Sequence, residues 1–261
     1  MLILFDSDSP CYAQALSVQK DGGLIQGAEK IMCRQLDEFF ERCVLDIEEH
    51  FKTPVDYKLF LTGKGNFRET EFPSYKANRK GAERPILLPE ARQYLQEEYN
   101  AVVVDGMEAD DAVCIEQALA LQDERNTIIA HLDKDIDQQA GWHYRWAFRG
   151  KPSIFYRITE EQGLQHLYQQ ALVGDQVDCI MYYFNEDSQT WRKEYGCGKV
   201  KARKLLKDCE TEKDLYRICL EQYKEWGRTE RDLQDNLNQL YMIRKLNPRT
   251  GEAVRWKTPK I

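Results

Sequence analysis

Histidine is scarce in this 261-residue chain, with four in all (His50, His131, His143 and His166), and its eight cysteines form no C-x-x-C pair and no zinc-type spacing. That leaves little for a histidine-based metal centre, a catalytic dyad or a thiol nucleophile, and the cysteines read as reduced, packed thiols. No apolar run approaches the roughly 20 residues needed to cross a bilayer. The opening MLILFDSDSP reaches a charge at its sixth residue with no basic leader, so the expectation is a cytoplasmic protein with no membrane partner. Repeats, low-complexity tracts and flexible linkers are also missing, which excludes a solenoid or a disordered scaffold.

What is present is the balance of a folded protein with a substantial core: 42% hydrophobic, 31% charged and 11% aromatic residues. The net charge of −7 argues against a polyanionic partner, but its distribution argues the other way. Residues 64–84 carry net +3, residues 192–207 net +6 and residues 242–261 net +5, so the rest of the chain is strongly acidic. Such polarity suits a protein that grips phosphates at chosen places, although any one basic run is also compatible with a solvated helix face or tail.

Apolar runs and helical periodicity alternate. LILFDSD, YKLFLTG, AVVVDG, NTIIAHL, WHYRWAF and SIFYRI read as strands, and amphipathic helices are expected at 27–50, 90–99 and from EADDAVCIEQALALQ. The stripe Ile31, Leu36, Phe39, Phe40, Val44 and Ile47 marks the first helix. Alternation of this kind predicts an α/β fold with a mostly parallel central sheet flanked by helices, over residues 1–158. Residues 64–89 read as an excursion from that core. Residues 159–261 read as a smaller all-α subdomain packed on it.

In an open parallel sheet, functional groups gather beyond the carboxyl ends of the strands. Three strands here end in acid: Asp6 with Asp8, then Glu108 with Asp110 and Asp111, then Asp133 with Asp135. A fourth pair, Asp175 and Asp178, is spaced to share one side of a helical turn. Any single pair could cap a helix. Nine carboxylates at consistent topological positions cannot converge without a cation, because each raises the next one's pKa. Oxygen-only ligands point to Mg²⁺ or Mn²⁺ rather than Zn²⁺, and two such ions ~3.5–4 Å apart can drive in-line displacement at a phosphodiester.

With those residues placed, the chain resembles the 5′ nuclease superfamily, above all the bacteriophage 5′→3′ exonucleases and flap endonucleases related to the 5′ nuclease domain of bacterial DNA polymerase I. The likeness spans nearly the whole chain and is carried by FDSD (5–8), NFRETEFPSYKANRK (66–80), MEADD (107–111), LDKD (132–135), VGDQVD (173–178) and YGCGKVKARKLL (195–206), in that order. It implies a structure-dependent nuclease that acts on DNA with 5′ ends, flaps or nicks and leaves 5′-phosphate products. It implies too a monomer with no obligatory protein partner, serving replication, recombination or host-DNA degradation in phage infection.

The resemblance also implies roles. Asp6, Glu108 and Asp110, with Asp111 beside them, look like ligands of one Mg²⁺ or Mn²⁺, and Asp133, Asp135, Asp175 and Asp178 like ligands of a second, with Asp8 in support. The YKANR stretch is similar to the base of a helical arch, with Lys76 and Arg79 as catalytic cations facing the phosphate. Arg68 is expected on a nearby phosphate, and Tyr75 either stacks on a base or packs beneath the loop. Gly196, Gly198, Lys199 and Lys201 resemble a helix-hairpin-helix grip on duplex phosphates, which in relatives often holds K⁺; a plain helix cap followed by a basic helix is the alternative.

Two features depart from the pattern. Gly63 stands at or next to the position where the family commonly has a further aspartate, which admits a rival reading: a catalytically weakened protein that binds branched DNA. An RNA-directed nuclease of the PIN class is a third, disfavoured by the long helical extension after Asp178. The insert at 181–194, MYYFNEDSQTWRKE, has no assigned role.

Overall fold

Ile3, Leu4 and Phe5 have no solvent exposure, as expected for a strand at the centre of a sheet covered on both faces. In the computed structural model, which describes residues 1–79 and 81–259, they form β1 (Leu2–Asp6). Lys80, the last residue of the 66–80 motif, lies outside the described residues, as does Lys260 of the basic C-terminal run.

The chain continues through α1 (Asp8–Ser17), a two-residue ribbon of β2 (Gln19–Lys20) and β3 (Gly23–Leu24), α2 (Ala28–Phe51), β4 (Asp56–Thr62), α3 (Phe67–Glu71), α4 (Leu88–Glu98) and β5 (Val102–Val104). Next come α5 (Ala109–Gln122), β6 (Thr127–Ala130), β7 (Gly141–Arg145), β8 (Ile154–Ile158) and α6 (Glu160–Val173). The remainder is β9 (Tyr182–Asn185), β10 (Thr190–Lys193), α7 (Lys199–Leu206), α8 (Glu212–Glu225) and α9 (Glu230–Leu240).

Six strands make one sheet in the order β5-β4-β1-β6-β7-β8. The first five run parallel, and β8 closes the edge antiparallel to β7. The carboxyl ends of β1, β4, β5 and β6 therefore open on the same rim. On one face Ile3 and Phe5 pack under α1, α2 and α4, and α2 presents Met32, Leu36, Phe40, Cys43 and Ile47 at helical spacing. On the other, Leu4, Phe60 and Ile129 pack under Val113 and Cys114 of α5.

The helical part has its own core, centred on Leu167, Leu172, Tyr216, Tyr223, Leu233 and Leu237. Its helices are started by their own sequence. Thr159, Thr211 and Thr229 each cap a helix and are capped in return by Gln162, Asp214 and Asp232, a reciprocal pairing in which the threonine contributes about 1 kcal/mol. The 181–194 insert is a hairpin of β9 and β10, which adds a small sheet to an otherwise helical region. After α9 the chain returns to the α/β core: Met242 packs beside Leu4 and Phe60, and Ile243 beside Phe67, Met107 and Ile115. Among the described residues of 64–87, α3 and a 3-10 turn at Ala77–Arg79 are the helical elements between β4 and α4. Among the described residues no helix is long and apolar enough to cross a membrane.

Candidate metal centre and nucleic-acid interface

The strand ends deliver the acids to the shared rim. Asp6 is the last residue of β1, and Asp8 opens α1. Glu108 caps α5 and Asp110 lies in that helix's first turn. Asp133 follows β6 and accepts the Asp135 N–H at 2.7 Å as a 3-10 turn begins. Asp175 and Asp178 do not share a helical turn as expected: α6 ends at Val173, and Gly174 takes a positive φ of 71°. Instead Asp175 Oδ1 accepts from the backbone of Val177 (2.7 Å) and Asp178 (3.1 Å), a side-chain turn that brings both carboxylates to the same mouth.

Their mutual repulsion is visible in their acidities. Burial, then the charges of Asp8 and Asp133, push Asp6 up to about 8. Burial and Asp133 push Asp135 up to about 8, and burial raises Asp178 to about 6 despite Lys76. Burial with Glu108 and Asp111 drives Asp110 well above the carboxylate range. Glu108 alone runs the other way: burial would raise it, but Lys76 and Arg68 hold it below its ordinary value.

Three cations stand among these acids. Lys76 Nζ binds Glu108 and lies 3.9 Å from Asp178 Oδ1, on a residue whose φ is +52° and whose backbone N–H donates to the Asp178 carbonyl at 3.1 Å. A positive φ on a lysine is a strained arrangement that the surrounding contacts must hold. Lys134, which sequence reasoning passed over although it sits between two aspartates in LDKD, binds Asp175 and lies 3.6 Å from Asp135. Arg79, half exposed, lies 3.7 Å from Asp178.

These three do not neutralise the mouth, since Asp6, Asp110 and Asp135 still favour the protonated form. A divalent cation is the species that would relieve such a set, and oxygen-only donors suit Mg²⁺ or Mn²⁺. Asp6, Glu108 and Asp110 on one side, and Asp133, Asp135, Asp175 and Asp178 on the other, are the residues able to hold one. Among the described residues no three of these carboxylates bring oxygens within 4.8 Å of one another.

Three expected site residues lie elsewhere in function. Asp111 is fully buried, and both its oxygens are taken by Arg68, NH1 to Oδ2 at 2.6 Å and NH2 to Oδ1 at 2.9 Å, with the Ile243 N–H adding a bond at 2.9 Å. Arg68, also at 0% exposure, donates further to the carbonyls of Gln239 (2.8 Å) and Tyr241 (2.6 Å), and its Nη1 lies 3.8 Å from Glu108 Oε2. The pair is a buried joint between α3, α5 and the returning C-terminal segment. Asp111 thus has both oxygens committed within the protein, and Arg68, with no solvent exposure, does not meet a phosphate. Tyr75 is buried and donates its hydroxyl to Glu108 at 2.8 Å, so it packs beneath the loop and does not stack on a base. Asp8 is bound by Arg92 and by the Thr62 N–H at 3.0 Å. Arg92 carries no sequence signal that would have found it.

Gly63 has a local reason. A Cβ there would sit 2.1 Å from Asp105 Oδ1 and 2.7 Å from the Val104 carbonyl oxygen. The Asp105 carboxylate occupies that space while accepting the Lys64 N–H at 2.7 Å. The missing aspartate is therefore excluded by packing, and an aspartate placed at 63 could not simply restore a ligand.

In the glycine hairpin, Gly196 has φ +102° and a Cβ on it would meet the Leu172 carbonyl at 3.0 Å, so only glycine fits. Lys193 Nζ donates to the Cys197 carbonyl at 2.9 Å, which places a resident ammonium on the loop where the resemblance admits K⁺. Gly198 caps α7 with open space around its Cα, and Lys199, Lys201, Arg203 and Lys204 stand exposed on that helix beside Val200 at 85% exposure. Beside Asp8 a groove of about 530 Å³ is lined by Tyr12, Arg42, Arg79, Trp146 and Phe148.

The mostly parallel six-stranded sheet, flanked by helices and with acids at three strand ends, has the fold of solved 5′ nucleases. Over 92% of its length the chain superposes on the bacteriophage T5 D15 protein co-crystallised with metal ions (TM-score 0.59, 15% identity, 88% of that chain). Its likeness to the T5 D15 flap endonuclease in a complex with DNA and metal ions is similar (TM-score 0.60, 15% identity, 92% of this chain and 88% of that one). A lysine-to-alanine mutant of the T5 5′-exonuclease matches at TM-score 0.57 and 13% identity, over 92% of this chain and 86% of the other. No family model and no curated sequence relative matches the chain. At these identities the likeness is one of fold.

Proposed function

We propose that the protein is a divalent-metal-dependent 5′ nuclease that hydrolyses DNA phosphodiesters at 5′ ends, flaps or nicks to give 5′-phosphate products. The observation that carries this reading is the single rim of seven carboxylates, several held protonated for want of positive charge, with Lys76 and Arg79 standing over it. The T5 relative solved with DNA and metal ions supports it.

When bound, a pair of Mg²⁺ or Mn²⁺ ions would polarise the phosphate and activate water; Asp6, Glu108 and Asp110 would hold one and Asp133, Asp135, Asp175 and Asp178 the other. Lys76 acts as a point charge on phosphate oxygens as negative charge builds there, pre-positioned by its own backbone bond to Asp178. Arg79, on the solvent side, takes the adjoining phosphate. The groove beside Asp8 accepts the terminal nucleotide, with Tyr12 and Phe148 as stacking faces and Arg42 as a phosphate partner. Lys199 and Lys201, with the backbone that Gly196 and Gly198 leave open, hold duplex phosphates without reading sequence. In this reading Lys193 substitutes for the K⁺ of the hairpin, residues 1–158 are the nuclease core, residues 159–261 bind duplex, and the protein works as a monomer.

The direct experiment incubates pure protein with a 5′-flap and a nicked duplex, with and without Mg²⁺ or Mn²⁺, and resolves products on a denaturing gel. Metal-dependent cuts near the 5′ end are expected; no product at any metal concentration would defeat the reading.

A further inference from the structure

Two of the chain's four histidines meet at the β6–β7–β8 edge. His131 directly follows β6, and His143 lies on β7 opposite Tyr156 of β8. Both imidazoles are fully buried. His131 Nδ1 lies 2.6 Å from the Asp133 carbonyl oxygen, and His143 Nε2 lies 2.8 Å from the Gln139 carbonyl oxygen. A carbonyl can only accept, so each of those nitrogens carries the ring's hydrogen. The other two, His131 Nε2 and His143 Nδ1, are then bare lone pairs, and they face each other at 3.0 Å. The only neighbouring hydroxyl, that of Tyr156, lies 3.2 Å from His131 Nε2 but 2.7 Å from Asp137 Oδ1, to which it donates. Among the described residues no other donor is hydrogen-bonded to either lone pair, and the neighbouring Arg145 guanidinium is spent on Asp137.

From this geometry we propose that His131, His143 and Asp137 form a zinc site distinct from the acidic mouth. Their ligand atoms all lie within 4.8 Å of one another, a condition no other group of the described residues meets. Zinc takes imidazole nitrogen at about 2.0–2.1 Å, so nitrogens 3.0 Å apart can share one ion with little movement. Metal-bound histidines typically donate their second ring N–H to a carbonyl or carboxylate, which both rings already do. The alternative occupant is a proton shared between the two facing nitrogens. Asp137, with its side chain 17% exposed and its other oxygen held by Arg145, gives the ion a route in from solvent. Imidazole donors favour Zn²⁺ where the oxygen-only mouth favours Mg²⁺. The ion would brace the segment carrying Asp133 and Asp135, because His131 grips the Asp133 carbonyl.

The test is a zinc titration of the full-length protein in millimolar Mg²⁺, read with a competing chromophoric chelator. One equivalent of Mg²⁺-resistant zinc is expected. It should persist in Asp175→Asn, weaken about 10–100-fold in Asp137→Asn and vanish in His143→Gln. Because a buried histidine variant may misfold, Co²⁺ is also added to the wild-type chain. Intense visible bands of four-coordinate cobalt support the site, whereas only the faint bands of six-coordinate cobalt overturn it. Wild-type protein that takes no zinc in Mg²⁺, zinc retained unchanged in a folded His143→Gln, or an NMR signal for a proton shared between the two rings in zinc-saturated protein would each overturn it as well. None of these readouts depends on nuclease activity.

Discussion

Asp110 and Asp111 are adjacent in sequence, in the first turn of one helix, yet they belong to regions with opposite electrostatics. Asp111 sits in the joint with Arg68, where guanidinium and backbone donors match its oxygens. Asp110 sits at the mouth, where burial and neighbouring acids drive it toward the neutral form. Removing a charge from water is costly, so a fold must match it or leave the deficit to a ligand. The joint is matched and therefore structural; the mouth is unmatched, and that deficit marks it as the place where something else binds.

The sharpest way to break this comparison is to swap the consequences of mutation. Asp111→Ala strands a buried guanidinium and should lose about 3–5 kcal/mol of stability in urea unfolding. Asp110→Asn removes an unmatched carboxylate and should leave the unfolding midpoint unchanged or raised. If the two variants unfold alike, the distinction between joint and mouth fails.

The next effect is on rate. Asp135→Asn should slow cleavage of a 5′-flap substrate by at least about 10²–10³-fold, the scale on which loss of one electrostatic contributor acts. Its melting temperature should not fall, because burial and Asp133 already disfavour that charge in the metal-free protein. A matching drop in activity and stability would make Asp135 a structural residue like Asp111.

Much of this was legible in the sequence, and what was not has a common cause. Period-two and continuous apolar runs announced every strand of the main sheet, and carboxylates at strand ends announced the rim. Helix α2 shows the limit: its buried stripe runs through Met32 and Cys43, where periodicity alone placed Ile31 and Val44. Arg68 and Asp111 were misassigned, and the two readings of Tyr75 stayed open, because sequence shows charge and polarity but not burial. The partners of Arg68, at Gln239 and Tyr241, lie about 170 residues along the chain, a distance no local pattern spans. Scarcity of histidine also misled. A low count says nothing of convergence, and the rings of His131 and His143 meet through strand pairing.

A smaller effect separates packing from ligation at Gly63. Gly63→Ala should cost about 1–3 kcal/mol, because its Cβ meets the Val104 backbone as well as the Asp105 carboxylate. Gly63→Asp should cost at least as much and bring no gain in cleavage. A clear gain would instead mean that the mouth lacks a ligand and would favour the weakened, DNA-binding reading.

The gentlest probe of the mouth is pH, and its sign follows from the raised carboxylates. Asp6 and Asp135 release their protons near 8 in the folded metal-free chain but near 3.9 when unfolded. Their contribution to stability is thus full below about pH 4 and is lost as pH rises through 8. A cation entering the mouth below pH 8 must displace those protons, so apparent affinity should fall about tenfold per pH unit for each proton released. Calorimetric Mn²⁺ titrations at pH 6 and pH 8 measure this directly, and Asp6→Asn should make the dependence shallower by removing one proton from the exchange. Equal affinity at the two pH values would mean that the acids of the mouth are already matched within the protein, as Asp111 is, and the contrast between the two regions would disappear.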